Sequence, residues 1–241
     1  MKNYKARGVV LNTIKYGESS VVVNMLTDAF GRQSYIVQGL GSSRGRSSKM
    51  AHFQPLSALQ FEGLITPKSE LHRLREVQSG LRLSTLRYDI RKSTIALFMA
   101  EVVYRLVGES ERNNELFDFV WNSIEALDSL EEGVANFHLW FLANISHHLG
   151  FAPHTDFEEG MIFDMREGRF TYDITLHSDV MSVENAALLH TLLTADFGEL
   201  ARLPLNRNER RQILSEMVKY YSLHLESICN VKSIAILQEV F

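Results

Sequence analysis

Residues 20–38 read Ser20-Val-Val-Val-Asn-Met-Leu-Thr27, then Asp28-Ala-Phe-Gly31, then Arg32-Gln-Ser-Tyr-Ile-Val-Gln38. Two β-forming runs, the second alternating around Tyr35 and Val37, flank a four-residue turn, which is the pattern of a β-hairpin. The same grammar extends both ways. Upstream, Tyr4 to Ile14 alternates Ala6, Gly8 and Val10 against Arg7, Val9 and Leu11. Downstream, a strand is expected near Leu56 to Phe61 behind Pro55, and another from Glu70 to Gln78 after the turn Thr66-Pro67-Lys68-Ser69. Five short strands in 80 residues predict a small antiparallel barrel or sandwich.

The period changes near Leu81. Leu86, Ile90, Ile95, Phe98, Met99, Val102 and Leu106 recur at helical spacing, and Gly108 stops the run. Asn113 or Asn114 can cap a second helix, and a third runs from about Leu130 to Leu149 before Gly150. Met161 to Met165 and Arg169 to Tyr172 flank Glu167-Gly168 as a small hairpin. Helical patterns return near 182–195, 208–225 and 233–241. The expected fold class is α+β: an N-terminal antiparallel barrel over 1–80, then an all-helical domain over 81–241 with a hairpin insertion at about 154–176.

Composition narrows the function. The chain has 241 residues with 45% hydrophobic and 22% charged residues, which suits a packed globular protein. Apolar runs are only a few residues long, too short for a membrane span, and no secretory signal pattern follows Met1. A cytoplasmic protein is expected. One cysteine, Cys229, excludes disulfide frameworks and cysteine-built zinc sites within the chain. The net charge of −4 hides a split. Residues 1–82 hold 12 Lys+Arg against 5 Asp+Glu, whereas 83–241 hold 13 against 24. A basic unit on an acidic body points to an anionic ligand for the first part.

The segment Gly39 to Lys49 carries three cations, Arg44, Arg46 and Lys49, with three glycines, four serines and no acid. Such side chains suit successive phosphates, and neighbouring aromatics (Tyr16, Phe30, Tyr35, Phe53) offer stacking surfaces for unpaired bases. A nucleotide cradle is excluded, because the glycines space as GxGxxxG ahead of a strand and no Gly-Lys dipeptide exists for a Walker A loop. HExxH is absent. His147, His148 and His154 do not converge at helical spacing, so no metal is expected there. The reading is of a binding protein and not an enzyme, with no cofactor.

An ordered set of residues resembles the bacterial recombination mediator RecO family: Gly8-Val9-Val10-Leu11, Tyr16-Gly17-Glu18-Ser19, Thr27, Gly31-Arg32, Gly39 opening the basic loop, Pro55-Leu56, Leu74-Arg75-Glu76, and Leu149-Gly150-Phe151 with Pro153. The resemblance implies an OB-fold that binds DNA, followed by an all-helical domain. It implies recombinational DNA repair: binding single- and double-stranded DNA, annealing complementary strands and, with RecR, helping to load RecA onto strands coated by the single-stranded DNA-binding protein SSB. The candidate DNA-binding residues are Arg44, Arg46, Lys49, Arg7, Arg32, Arg73 and Arg75. The helical domain is expected to take the acidic, Phe-ended SSB tail, with Phe117, Trp121, Phe137 and Trp140 as slot walls and Arg105 or Arg112 as the cation; Arg207, Arg210 and Arg211 form a second cluster. Many members of the family carry a four-cysteine zinc module after Leu-Gly-Phe. Here that region has no cysteine, so the hairpin must hold by apolar contacts. The alternative is an RNA-binding OB module in RNA metabolism.

Overall fold

The computed structural model describes residues 2–38, 50–65, 71–109 and 112–241. Its contacts divide the chain into two compact units, Met1–Asp128 and Ser129–Phe241.

In the first unit, strands β1 (Lys2–Tyr16), β2 (Ser20–Thr27), β3 (Gly31–Val37), β4 (Ala58–Ile65) and β5 (Leu71–Ser79) close into a barrel in the order β1-β2-β3-β5-β4. Every pairing is antiparallel except β3 with β5, which run parallel. The sequence pattern predicted antiparallel pairing throughout. A ring of five strands cannot alternate direction all the way round, so one neighbouring pair must be parallel. The pair falls at β3–β5 because β4 zips onto β1, with Gly8 opposite Leu59 and Lys2 opposite Ile65.

Inside the ring lie Val10, Val21, Val23, Met25, Tyr35, Leu59 and Phe61, with Phe53 closing over them from a short helical turn, Ala51–Phe53. Tyr35 is fully buried, and its hydroxyl meets that of Tyr4 at 2.7 Å, which satisfies both polar groups. A Cβ at Gly63 would stand 2.4 Å from the Tyr4 ring, so glycine there admits the ring to the core. Gly31 takes the positive φ of 66° that ends the β2–β3 turn.

Two helices complete this unit: α1 (Ile90–Leu106) and α2 (Asn114–Ser129). The apolar spacing predicted a helix from about Ser84, but α1 starts at Ile90. Asp89 caps it by accepting from the Arg91 and Lys92 N–H groups. Residues 84–86 spend their N–H groups elsewhere: Ser84, Thr85 and Leu86 donate to the Asp128 carboxylate at 2.9, 2.8 and 2.7 Å. The buried Lys92 ammonium donates to the Asp128 carbonyl and to Thr85 Oγ1, each at 2.7 Å. One aspartate thus pins the segment leaving β5 to the end of α2.

The second unit holds α3 (Val134–Ile145), α4 (Val183–Thr194), α5 (Arg207–His224) and α6 (Ser233–Val240). A three-stranded sheet, β7-β6-β8, joins β6 (Ile162–Asp164), β7 (Arg169–Thr171) and β8 (Val180–Met181). The hairpin was legible; the two-residue β8 was not, being too short to carry a period. Phe163 packs on Phe170 at 5.0 Å and on Tyr220 at 5.3 Å, and Phe157 stacks on His190 at 4.7 Å. Ring contacts pack the hairpin, but apolar contacts do not act alone where cysteine is lacking: the Asp164 carboxylate accepts from the Arg166 and Glu167 N–H groups at 2.9 and 3.2 Å and so holds the turn. Beside it, Lys219 and Arg166 hold the Asp179 carboxyl down to about 2.

Burial opposes ionisation of Asp128, but the N–H donors from Ser84, Leu86 and Thr85 outweigh it and hold its pKa below the usual aspartate value. This carboxylate therefore adds stability above about pH 4 that is lost as pH falls through the folded-state pKa. Asp128→Ala should cost about 2–3 kcal/mol in urea unfolding at neutral pH, since buried donors lose their acceptor. The deficit should narrow on acidification below that range; an equal deficit at neutral and acidic pH would contradict this role.

Candidate nucleic-acid interface

The register of the barrel decides which side chains face outward. Val21, Val23 and Tyr35 are buried inside, so their neighbours Val22 and Ile36 point to the outer surface. Ile14 lies opposite Val22, Val22 opposite Ile36, and Ile36 opposite Arg73. These pairings set one outward row across β1, β2, β3 and β5. Ile14 is 50% exposed, and Tyr16, two residues further along β1, is 56% exposed. Arg75, two residues beyond Arg73, shares its side of β5, and both are exposed. The result is an apolar strip with an aromatic ring at one edge and two guanidinium groups at the other. Such a strip on a small barrel offers a base-stacking surface beside phosphate donors.

Charge along β5 is not all free. Arg75 lies opposite Glu62, whose carboxylate stands 3.3 Å from Lys5 Nζ, so this row keeps one net positive charge. Burial lowers the pKa of His72, so its half-buried ring favours the neutral form. At the barrel end, Lys15, Val21 and Val37 share one level, and the chain leaves β3 at Gln38 beside it. The cations Arg44, Arg46 and Lys49 of the basic segment lie outside the described residues.

Arg7 and Arg32 have different work. The Arg7 guanidinium pairs with Asp28 at 3.1 Å and Asp118 at 3.3 Å, and lies 5.0 Å from the Phe117 ring centre and 5.3 Å from that of Trp121. It fastens β1 to α2 by ion pairing and cation–π contact. Arg32, 16% exposed at its side chain, donates to the Tyr104 carbonyl at 2.9 Å, pairs with Glu109 at 3.3 Å and lies over the Tyr104 ring. Both cations are spent within the first unit. Of the four aromatics named for stacking, Tyr35 and Phe53 are core, Phe30 packs edge-on against Tyr4 at 4.7 Å, and Tyr16 is exposed.

The aromatics named for a tail slot also pack inward. Phe117 and Trp121 are buried in the first unit, and Phe137 is buried in the second. Trp140 is half-buried, donates to the Ala195 carbonyl at 2.9 Å, and meets the 39%-exposed Phe197 edge-on. Arg105 lies over Tyr104, and Arg112 donates to Asn114. Arg207, Arg210 and Arg211 donate to carbonyls at the end of α6 (Gln238, Glu239 and Phe241), which caps its C-terminus with positive charge. Among the described residues, no three His, Cys, Asp or Glu side chains are grouped to hold a metal, and no helix is long and apolar enough to cross a membrane.

The fold is thus α+β: a closed five-stranded barrel with this outward strip, followed by a helical region that carries a small three-stranded sheet. The family models for the N-terminal and C-terminal parts of recombination protein O match residues 1–80 and 87–233. DNA repair protein RecO of Phocaeicola vulgatus is 37% identical over 238 residues, covering 98% of both chains. The proteins of that name from Bacteroides fragilis and Flavobacterium psychrophilum are 36% and 33% identical, again over 98% of each chain. This chain belongs to the RecO family of DNA repair proteins, non-enzymatic mediators of recombination.

The division of the cations into spent and free predicts two kinds of variant. Arg7→Ala and Arg32→Ala should each lower stability by about 1–2 kcal/mol and leave the salt dependence of oligonucleotide binding unchanged. Arg73→Ala and Arg75→Ala should do the reverse, with melting temperature near wild type and a flatter salt slope. A flattened slope in the first pair, without loss of stability, would place Arg7 and Arg32 in the interface.

Proposed function

We propose that this RecO-family protein binds single- and double-stranded DNA and anneals complementary strands. We further propose that, with RecR, it helps load RecA onto DNA coated by SSB, in the cytoplasm at the nucleoid. The strand-binding part centres on the barrel, residues 1–80, and the helical residues 81–241 include the surface that meets protein partners. The observation that carries the reading is the outward row Ile14–Val22–Ile36–Arg73 with Tyr16 beside it.

The mechanism is physical. Two complementary strands repel through their phosphates, and that repulsion is the electrostatic obstacle to pairing. Arg73, Arg75 and the loop cations Arg44, Arg46 and Lys49 replace condensed counterions along one strand. The apolar strip and Tyr16 hold its bases unstacked, so their pairing edges stay open to a second strand. Nothing in this sequence of events requires a bond to be made or broken. For the acidic SSB tail, one accessible aromatic edge of the second unit is Trp140 with Phe197, and Arg202, exposed at the end of the same short helix as Phe197 and 3.4 Å from the Glu199 carboxylate, supplies a cation.

Purified protein should speed the annealing of complementary oligonucleotides, with and without SSB bound to them. Replacing Arg44, Arg46 and Lys49 together by Ala should slow annealing and reduce the slope of log K against log [salt] by about 2, at about 0.7 per lost phosphate contact to a single strand. An unchanged slope would remove the loop from the DNA site, and no annealing by the wild type would overturn the function.

A further inference from the structure

A second surface of the first unit combines the same chemistry outside the barrel. Between residues 51–57 and the start of α1 lies a groove of about 410 Å³. Leu56 and Leu86 form its buried floor, and Leu83, Arg87 and Leu97 its rim. Arg87 donates to Ser57 Oγ at 3.1 Å, which ties its guanidinium to the opposite wall. Next to Arg87, Tyr88 is 88% exposed, and Ile90 is 71% exposed. A tyrosine and an isoleucine so close together and so open to water contribute little to the core.

The charge around them runs against its background. Residues 82–92 hold four cations, Arg82, Arg87, Arg91 and Lys92, against one acid, Asp89. Lys92 is buried on the Asp128 carbonyl, which leaves three exposed guanidinium groups. Asp89 is committed to capping α1 and to Arg91, which it meets at 3.1 Å. This basic cluster straddles the boundary between the basic residues 1–82 and the strongly acidic stretch 83–241.

We infer that this groove and its rim form a second contact for an unpaired nucleic-acid strand, with Tyr88 stacking on a base and Arg82, Arg87 and Arg91 taking phosphates. The inference rests on the strand-binding function proposed above. Charge complementarity selects the occupant: one guanidinium group on the groove wall, with two more exposed on the same ten-residue stretch of chain as an open aromatic ring, suits a polyanion with flat bases. Chain continuity supports it. Ala51 and Gln54 line the groove just after the basic segment ends at Lys49. Val10 exchanges backbone hydrogen bonds with Leu56 and Ser57, at 2.8 and 3.0 Å, so the groove wall is fixed to β1. Tyr16 lies six residues further along that strand, a separation of about 20 Å at 3.3 Å per residue. One molecule thereby holds two unpaired segments at once, the arrangement annealing needs.

The test uses the full-length protein and a long oligothymidylate carrying 5-iodouracil for photo-cross-linking. Cross-links should map to Tyr88 as well as to the barrel. The double variant Tyr88→Ala/Arg82→Ala, whose replaced side chains are exposed, should melt like the wild type. It should bind the long oligonucleotide about tenfold more weakly, as expected for losing one stacked base, with a slope flatter by about 0.7. If the wild type binds no strand, the proposed function fails and this inference with it. If it binds, and Tyr16→Ala weakens binding while the double variant keeps wild-type affinity, slope and cross-links, the second contact alone is overturned. Loss of a protein partner by the double variant, with strand binding intact, overturns it too and assigns the groove to a peptide.

Discussion

Closing an odd number of strands into one ring is the constraint on which the first unit depends. Five strands cannot close without at least one parallel pair, and with β4 against β1 that pair is β3–β5. This pairing brings Arg73 level with Ile36 and so into the row that starts at Ile14. A fully antiparallel four-strand meander would present the same apolar strip without the cations of β5. Topology, more than composition, sets the apolar strip beside the guanidinium groups of β5.

The second constraint is how positive charge is distributed. The basic N-terminal part suggests a uniform electropositive surface, but the structure sorts its cations into two groups. Arg7 and Arg32 are held by carboxylates, a carbonyl and aromatic faces, and they join the barrel to α2 and α1 within one compact unit. Arg73 and Arg75 stay at the surface. The second unit handles charge in a similar way: three arginines near the start of α5 cap the end of α6, and Asp179 is shared by Arg166 and Lys219. Cations committed to such internal contacts contribute to the fold, and those left open remain for a polyanion.

The sequence disclosed the five strands, the hairpin at 161–172 and the helical body, because each carries a period or a turn signal. It did not disclose where α1 begins. The apolar spacing from Leu86 onward is helical, but Asp128, more than 40 residues away, draws the N–H groups of 84–86 out of the helix. The internal partners of Arg7 and Arg32 were not legible, because Asp118 and Glu109 lie far off in sequence. Phe117 and Trp121 looked equally suited to a core and to a binding slot; Arg7 packed on both rings shows where they went. Tyr16 was visible as an aromatic near the basic loop, but its exposure depends on the register of β1 with β2. Tyr88 carried no signal of its own, since one aromatic in a helical pattern reads as core.

In the proposed function an unpaired strand lies on the outer face of the barrel. Hydrogen–deuterium exchange on the full chain, with and without a saturating single-stranded oligonucleotide, tests it directly. The account predicts slowed exchange in residues 14–22, 34–38 and 71–75, with the interior of the second unit unchanged. Protection confined to residues 129–241, with these barrel segments unaffected, would contradict it.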